Sequence, residues 1–187
     1  MTRETRLPEI IRTDRLTLRR PRLSDLDAIF AYASDPDVTF HMDWSTHTNI
    51  AQSRAFLEYC DAAWADGSEA TWAITLGDDD RLIGVIAVRP RGHKADFGYA
   101  LVREYWGRGI ATEAARAVVD EVFRLPGVMR VWATCSLENA GSRRVLEKAG
   151  LEQEGVLRAW CVRPQKGGAI EDAYSYSMVR APGDASY

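Results

Sequence analysis

The stretch from residue 94 to residue 123 most constrains how this chain can fold, because its hydrophobic period changes from two to helical across two glycines. Lys94 to Val102 alternates as a strand, and Gly107 and Gly109 follow it. Such a turn presents unpaired N–H groups and the positive end of a helix dipole, and glycines let a ligand approach the main chain. It indicates a phosphate site, with a plain tight turn as the alternative. Four apolar pairs predict the long helix that follows: Ile110/Ala111, Ala114/Ala115, Val118/Val119 and Val122/Phe123.

Two common nucleotide-binding motifs do not fit this turn. A P-loop needs a lysine next to its last glycine, and no lysine lies between Lys94 and Lys148. A dinucleotide fingerprint needs a small residue where Thr112 stands, and an acid at the end of the next strand, where residues 134–136 have none. Nucleotide binding by the glycine turn therefore remains only an alternative.

The rest of the chain predicts an α/β (or α+β) fold with a mixed sheet in one domain, residues 1–187. A capping box of Ser24 and Asp27 predicts the start of the first helix. Ile50, Leu57 and Trp64 mark the expected inner face of the second helix. Residues 181–187 are expected to form a frayed tail. Strands are predicted at 10–20, 71–76, 81–89, 94–102, 131–136, 155–162 and 172–179, and helices at 26–33, 49–65, 110–125 and 139–149.

Charge and cysteine usage exclude several classes of protein. The net charge is −3, without a basic block, which argues against a nucleic-acid partner. The longest apolar stretch, Leu82 to Val88, is far shorter than the about twenty residues that a membrane span needs. Cys60, Cys135 and Cys161 are odd in number and widely spaced, which favours a reducing compartment, with the cytoplasm as the default.

Two longer motifs resemble those of a known family. Tyr105-Trp106-Gly107-Arg108-Gly109-Ile110-Ala111-Thr112-Glu113-Ala114 closely resembles the acetyl-CoA-binding motif of the GNAT N-acetyltransferases. The segment from Glu138 to Leu151 resembles the next motif of that superfamily. With Thr13 to Arg19, the chain is similar to the branch that contains the ribosomal-protein N-terminal acetyltransferases. The resemblance covers about residues 10 to 180.

The resemblance implies a mostly antiparallel central sheet, flanked by helices and splayed where acetyl-CoA binds. The pantetheine arm is expected along the main chain of the strand, and the pyrophosphate on the N–H groups of the turn. Trp106 departs from the family pattern, in which Gln or Arg is more usual. The implied cofactor-binding residues are Tyr99, Ala100, Leu101, Val102, Trp106, Gly107, Arg108, Gly109, Ile110, Ala111, Thr112, Asn139 and Ser142.

The reaction that the resemblance implies is direct attack of a primary amine on the thioester, and no G-x-S-x-G elbow offers a covalent route. Asp96 stands where several members carry a catalytic glutamate, although it could equally pair with a nearby cation. Ser142 stands where the ribosomal branch carries a serine near the thioester sulfur, although it could also be an ordinary serine of a first helical turn. Asn139 is expected to contact the pantetheine or to cap a helix. Leu146 occupies the position of a tyrosine acid in many members, so that role is vacant.

The resemblance also implies that the loop from Val38 to His47 lines the acceptor site, as the same loop does in similar proteins. Phe40, Asp43 and Trp44 are its candidate substrate-binding residues, and no metal is expected despite His41, Asp43 and His47. A peptide or protein N-terminal amine is the favoured acceptor, with a polyamine, aminoglycoside or amino acid as the alternative. A non-catalytic acyl-CoA-binding module also remains open, and so does a homodimer.

Overall fold

The structure is a computed structural model that describes residues 6–77 and 79–180 of the 187-residue chain. The predicted tail at 181–187 lies outside the described residues. The helices are α1 (Leu26–Ala33), α2 (Pro36–Thr39), α3 (Ile50–Asp66), α4 (Ile110–Arg124) and α5 (Ala140–Lys148). The strands are β1 (Ile10–Arg12), β2 (Leu16–Arg19), β3 (Ala70–Leu76), β4 (Asp79–Arg91), β5 (Lys94–Leu101), β6 (Arg130–Ser136), β7 (Glu152–Arg163) and β8 (Ala169–Val179).

The eight strands form one sheet in the order β1-β2-β3-β4-β5-β6-β8-β7. Every neighbouring pair is antiparallel except β5 and β6, which run parallel. That parallel pairing begins at Lys94↔Arg130 and ends at Asp96↔Trp132, so the strands separate beyond it. The predicted mixed, splayed sheet is confirmed, and the separation opens a cleft, which we call the β5–β6 cleft.

Helices cover both faces of the sheet. On one side, the α4 face, the apolar stripe of α4 is buried, and Val118 and Val122 are fully inaccessible to solvent. On the other side, the α1 face, Ile29 and Leu57 pack against Ala73 and Ala100 of the sheet. Because successive side chains of a strand point to opposite faces, the side chains of neighbouring β5 residues lie on opposite sides of the sheet.

The first predicted strand is in fact a hairpin. Thr13 donates its main-chain N–H to the Leu16 carbonyl at 3.0 Å, and its hydroxyl accepts the Leu16 N–H at 2.9 Å. These bonds turn the chain back, so Ile10 pairs with Arg19 in antiparallel register. A short polar side chain that bonds the nearby main chain competes with a continuous strand.

Two other local predictions are wrong. The start of α1 is organised by Asp25 rather than Ser24, because the Asp25 carboxylate accepts the main-chain N–H of Arg22 at 2.8 Å. A short 3-10 turn at Leu23–Asp25 therefore precedes α1. Ile50 is 42% exposed in the first turn of α3, whereas Leu57 is buried as predicted.

Candidate active site

A pair of hydroxyl groups joins the two walls of the β5–β6 cleft on the α4 face. The Tyr99 hydroxyl lies 2.9 Å from Ser142 Oγ, and so links β5 to the first turn of α5. The Asn139 side chain accepts the Ser142 N–H at 2.9 Å and caps α5. Burial raises the pKa of Tyr99, so its phenol stays protonated through the neutral range. Neutral donors therefore line the cleft here.

Cys135 lies on β6, the strand on the other side of the cleft from β5. It is 6% exposed, and burial raises the pKa of its thiol to about 11. Because the thiolate is the nucleophilic form, this cysteine is a poor nucleophile near neutral pH.

The glycine turn has the geometry that its sequence predicts. Gly107 and Gly109 have φ angles of 73° and 77°, in the left-handed region that favours glycine. The first main-chain bond of α4 runs from the Glu113 N–H to the Gly109 carbonyl at 3.0 Å, so the amides of 110–112 are left without intrahelical partners. The N-terminal end of α4 thus offers several donors at the open end of the cleft.

Glu113 fastens the start of α4 to the β1–β2 hairpin. One carboxylate oxygen accepts the Thr13 hydroxyl at 2.6 Å and the Arg15 N–H at 3.0 Å, and the other accepts Arg15 Nε at 2.6 Å. Burial alone would raise the pKa of Glu113, but these hydrogen bonds outweigh it and hold that pKa below its usual value. The N-terminal segment that contains Thr13 and Arg15 therefore braces the glycine turn.

Trp106 ties the turn back to β5. Its indole Nε1 donates to the Leu101 carbonyl at 2.7 Å, although the side chain remains 47% exposed. One of the main-chain acceptors expected to face the pantetheine arm is therefore already engaged. The Trp that departs from the family pattern supports the turn through its side chain.

Asp96 lies on the α1 face, at the last paired position before β5 and β6 separate. Its carboxylate accepts Arg89 Nε at 2.6 Å, and Arg89 also pairs with Glu69 at 3.2 Å. Glu69 is buried and accepts the Thr71 hydroxyl at 2.8 Å. Asp96 is thus paired with Arg89, which is the alternative to a catalytic role that the sequence leaves open.

The loop with Phe40, Asp43 and Trp44 is held by the hairpin between β7 and β8. Arg163 is 3% exposed and donates Nη1 to the His41 carbonyl at 2.6 Å. Gln165 donates to the Trp44 carbonyl. We call this joined pair of segments, residues 40–47 and 163–171, the hairpin wall.

A charged cluster of the hairpin wall reaches the turn before α5. Lys166 donates to Glu138 at 2.8 Å and to Glu171 at 2.7 Å, and its Nζ lies 4.9 Å from the Phe40 ring centroid. Phe40 is 43% exposed, which leaves its ring free to contact a ligand. Sequence reasoning missed Arg163, Gln165, Lys166 and Glu171, because no local motif marks them.

The two histidines of the loop differ in their contacts. His47 Nδ1 lies 2.8 Å from the Ser53 hydroxyl, a bond that anchors the loop to α3. His41 Nδ1 is buried but has no hydrogen-bond partner within the described residues. The pKa of each is lowered by burial, and that of His41 also by Lys166 and Arg163. Both rings are therefore neutral near pH 7.

A cavity of about 590 Å³ lies on the α1 face. Tyr32, Asp35 and Leu82 line it, together with Val102 and Arg103. Neither Tyr99 nor Ser142 is among its lining residues, although Val102, an implied cofactor-binding residue, is.

Among residues 6–77 and 79–180, no group of three or more His, Cys, Asp or Glu side chains could hold a metal ion. No helix in the same part of the chain combines the length and apolarity that crossing a membrane requires.

Comparison with known proteins places this fold. The family model described as an acetyltransferase (GNAT) domain matches residues 15–152. YoaA of Bacillus subtilis, an uncharacterized N-acetyltransferase, is 32% identical over 174 residues, which are 91% of this chain and 97% of YoaA.

Solved structures agree with that placement. A GNAT-family acetyltransferase from Bacillus anthracis superposes with a TM-score of 0.79 at 26% identity, covering 91% of this chain and 98% of that one. RimL, a ribosomal alpha-N-protein acetyltransferase in complex with coenzyme A, gives a TM-score of 0.79 at 19% identity, covering 92% and 98%. The fold is that of an acetyltransferase acting on nitrogen. The chain belongs to the GNAT acetyltransferase family.

Proposed function

We propose that this N-acetyltransferase moves the acetyl group of acetyl-CoA to the α-amine of a peptide or protein N-terminus. The observation that carries the proposal is the coincidence of two features. The strands β5 and β6 separate beyond Asp96↔Trp132, and α4, whose first amides have no intrahelical partners, begins after the turn that follows the separated end of β5. A long ligand with a phosphate-bearing end fits this arrangement.

The residues of the cleft suit acetyl-CoA. The amides of residues 106–112 are the proposed donors to the pyrophosphate, and the main chain of Tyr99 to Val102 is the proposed partner of the pantetheine arm. At Gly107 an added Cβ would meet no atom within 4 Å, so its need for glycine comes from its φ and from the approach of a ligand. The Tyr99–Ser142 hydroxyl pair would then face the thioester.

Direct transfer is the proposed route. The amine nitrogen attacks the thioester carbonyl, the C–N bond forms, and the C–S bond breaks to release coenzyme A. Cys135 does not favour a covalent route, because its thiol is protonated near neutral pH. Ser142 is proposed to donate a hydrogen bond to the departing sulfur, and Tyr99 to orient Ser142.

An α-amine is the acceptor that this chemistry favours. Its pKa of about 7.7–8.0 leaves roughly a third of it neutral at pH 7.5, against on the order of a thousandth for a lysine side chain. RimL shares the fold and acts on a protein α-amine. Before the loop, Asp37 pairs with Arg103 and Asp35 caps α2. Asp43, which lies in the loop and is exposed, is the proposed carboxylate for a cationic acceptor.

The test compares kcat/KM for three acceptors at matched ionic strength. They are a peptide with a free N-terminus, its N-blocked counterpart with one lysine, and spermidine. We expect the free N-terminal peptide to be the best substrate. If spermidine is best, the protein is a small-molecule acetyltransferase. If the blocked peptide is best, the argument from amine pKa is wrong.

A further inference from the structure

The attacking amine must lose a proton, and the structure constrains which group can take it. Asp96 is the candidate that the family resemblance implies, but its carboxylate accepts hydrogen bonds from two nitrogens of Arg89, Nε and Nη2, each at 2.6 Å. The Asp96 carboxylate is therefore already engaged by a guanidinium.

His41 belongs to the hairpin wall, and contacts of that wall reach the turn before α5. Ser136, the last residue of β6, pairs with Ala173, so the β7–β8 hairpin extends beyond the end of β6. Lys166 of that hairpin bonds Glu138, which directly precedes the Asn139 cap of α5. The His41 ring stacks edge-on against Phe40, with 5.0 Å between ring centroids.

The His41 ring has no structural hydrogen bond of its own in the described chain, in contrast to the His47 ring. Its main chain is nevertheless fixed, because Arg163 binds the His41 carbonyl. Buried polar nitrogens are nearly always paired, so an unpaired one calls for an explanation, and a catalytic role is one such explanation. The main chain at His41 is thus held in place, and the Nδ1 atom of its ring is not committed to a partner within the described residues.

We propose that His41 accepts the proton of the acceptor amine, an inference that rests on the proposed function. As the amine nitrogen bonds to the thioester carbon, its proton passes to the imidazole. The C–S bond breaks, and the thiolate takes a proton from solvent beside the Tyr99–Ser142 pair. The imidazolium then returns its proton to solvent.

Charged side chains of the hairpin wall and of the turn before α5 act on the His41 ring. Burial lowers the pKa of His41, Lys166 and Arg163 lower it further, and Glu138 and Glu171 oppose them. The net shift is downward from 6.5, so the imidazole is a free base across the neutral range. A base of this kind gives a rate that rises with pH through its pKa and is constant above it.

The experiment measures kcat/KM against pH for wild type, His41→Gln and the matched control His47→Gln, with the free N-terminal peptide. Wild type should show two acid limbs, one below pH 6.5 from His41 and one near the amine pKa of about 7.7–8.0. His41→Gln should lose the lower limb and about 10²–10⁴-fold in kcat. His47→Gln should keep both limbs.

A second variant separates catalysis from support of the loop. His41→Ala should regain activity in proportion to added imidazole, which a merely structural residue would not do. Retention of the lower limb in His41→Gln would overturn the proposal, and its loss in Asp96→Asn instead would assign the role to Asp96. If wild type acetylates no peptide although acetyl-CoA raises its melting temperature, the proposed acceptor has failed rather than His41.

Discussion

The two sides of the β5–β6 cleft are built by different means. The side proposed for acetyl-CoA uses contacts between residues close in sequence, such as Asn139 with Ser142 and Trp106 with Leu101. The hairpin wall uses side chains that meet main-chain groups 121 or 122 residues away. A ligand bound by main-chain donors leaves a motif in the sequence, whereas a pocket assembled from distant side chains leaves none.

The largest effect is expected at the glycine turn. Gly109→Asp places a carboxylate against the proposed pyrophosphate site, and both Asp and Asn tolerate the φ of 77°. Acetyl-CoA at 100 times its Kd should stabilise wild type by about 2.7 kcal/mol, a melting shift of roughly 5–11 °C.

Differential scanning fluorimetry should show that Gly109→Asp loses this shift, whereas the uncharged control Gly109→Asn keeps most of it. Equal melting shifts in wild type and Gly109→Asp would show that the phosphates do not bind at this turn. A large shift with NAD or ATP and none with coenzyme A would restore the nucleotide alternative.

A substitution in the hairpin wall should weaken binding of the acceptor and leave binding of acetyl-CoA unchanged. Arg163→Ala leaves the His41 carbonyl and Glu171 without their buried partner, which should cost about 1–3 kcal/mol of stability. The KM for the acceptor should rise, while the Kd for acetyl-CoA stays near that of wild type. Arg158→Ala, an exposed arginine on the same strand, is the control. A matching loss of acetyl-CoA affinity would show that the two sides are not independent.

The hydroxyl pair at the cleft should have a smaller effect. Ser142→Ala removes the proposed donor to the departing sulfur and should lower kcat by about tenfold or less, since solvent can also protonate a thiolate. Tyr99→Phe, which keeps the Ser142 hydroxyl, should cost less than Ser142→Ala. Steady-state kinetics at saturating acetyl-CoA distinguish the two, and a larger loss in Tyr99→Phe would assign the donor to the phenol.

The smallest effect concerns the brace of the glycine turn. The pKa of Glu113 is lower in the folded chain than in the unfolded chain, so its contribution is full above the unfolded pKa of about 4.3 and is lost as pH falls through the folded value. Glu113→Gln should therefore be less stable than wild type by about 1 kcal/mol at pH 7. Thermal melts from pH 3 to pH 7 should show this difference shrinking in acid. A constant difference would mean that the charge of Glu113 contributes nothing.

The same contrast explains what the sequence could predict. The stripe of α4, the Asn139 cap and the turn glycines depend on neighbouring residues, and the structure agrees with each. The hairpin at Thr13 was missed because one side-chain hydroxyl decides it. Arg163 was missed because its partner is distant in sequence. The pairing of Asp96 with Arg89 was one of two open alternatives, and the register of β4 with β5 brings the two together.

A crystal structure of the chain with coenzyme A tests the central claim most directly. The account predicts the pyrophosphate within hydrogen-bond distance of the amides of residues 106–112, and the pantetheine arm between β5 and β6 with its sulfur near the Ser142 hydroxyl. Coenzyme A bound instead in the cavity beside Tyr32 and Leu82, with the β5–β6 cleft empty, would contradict it.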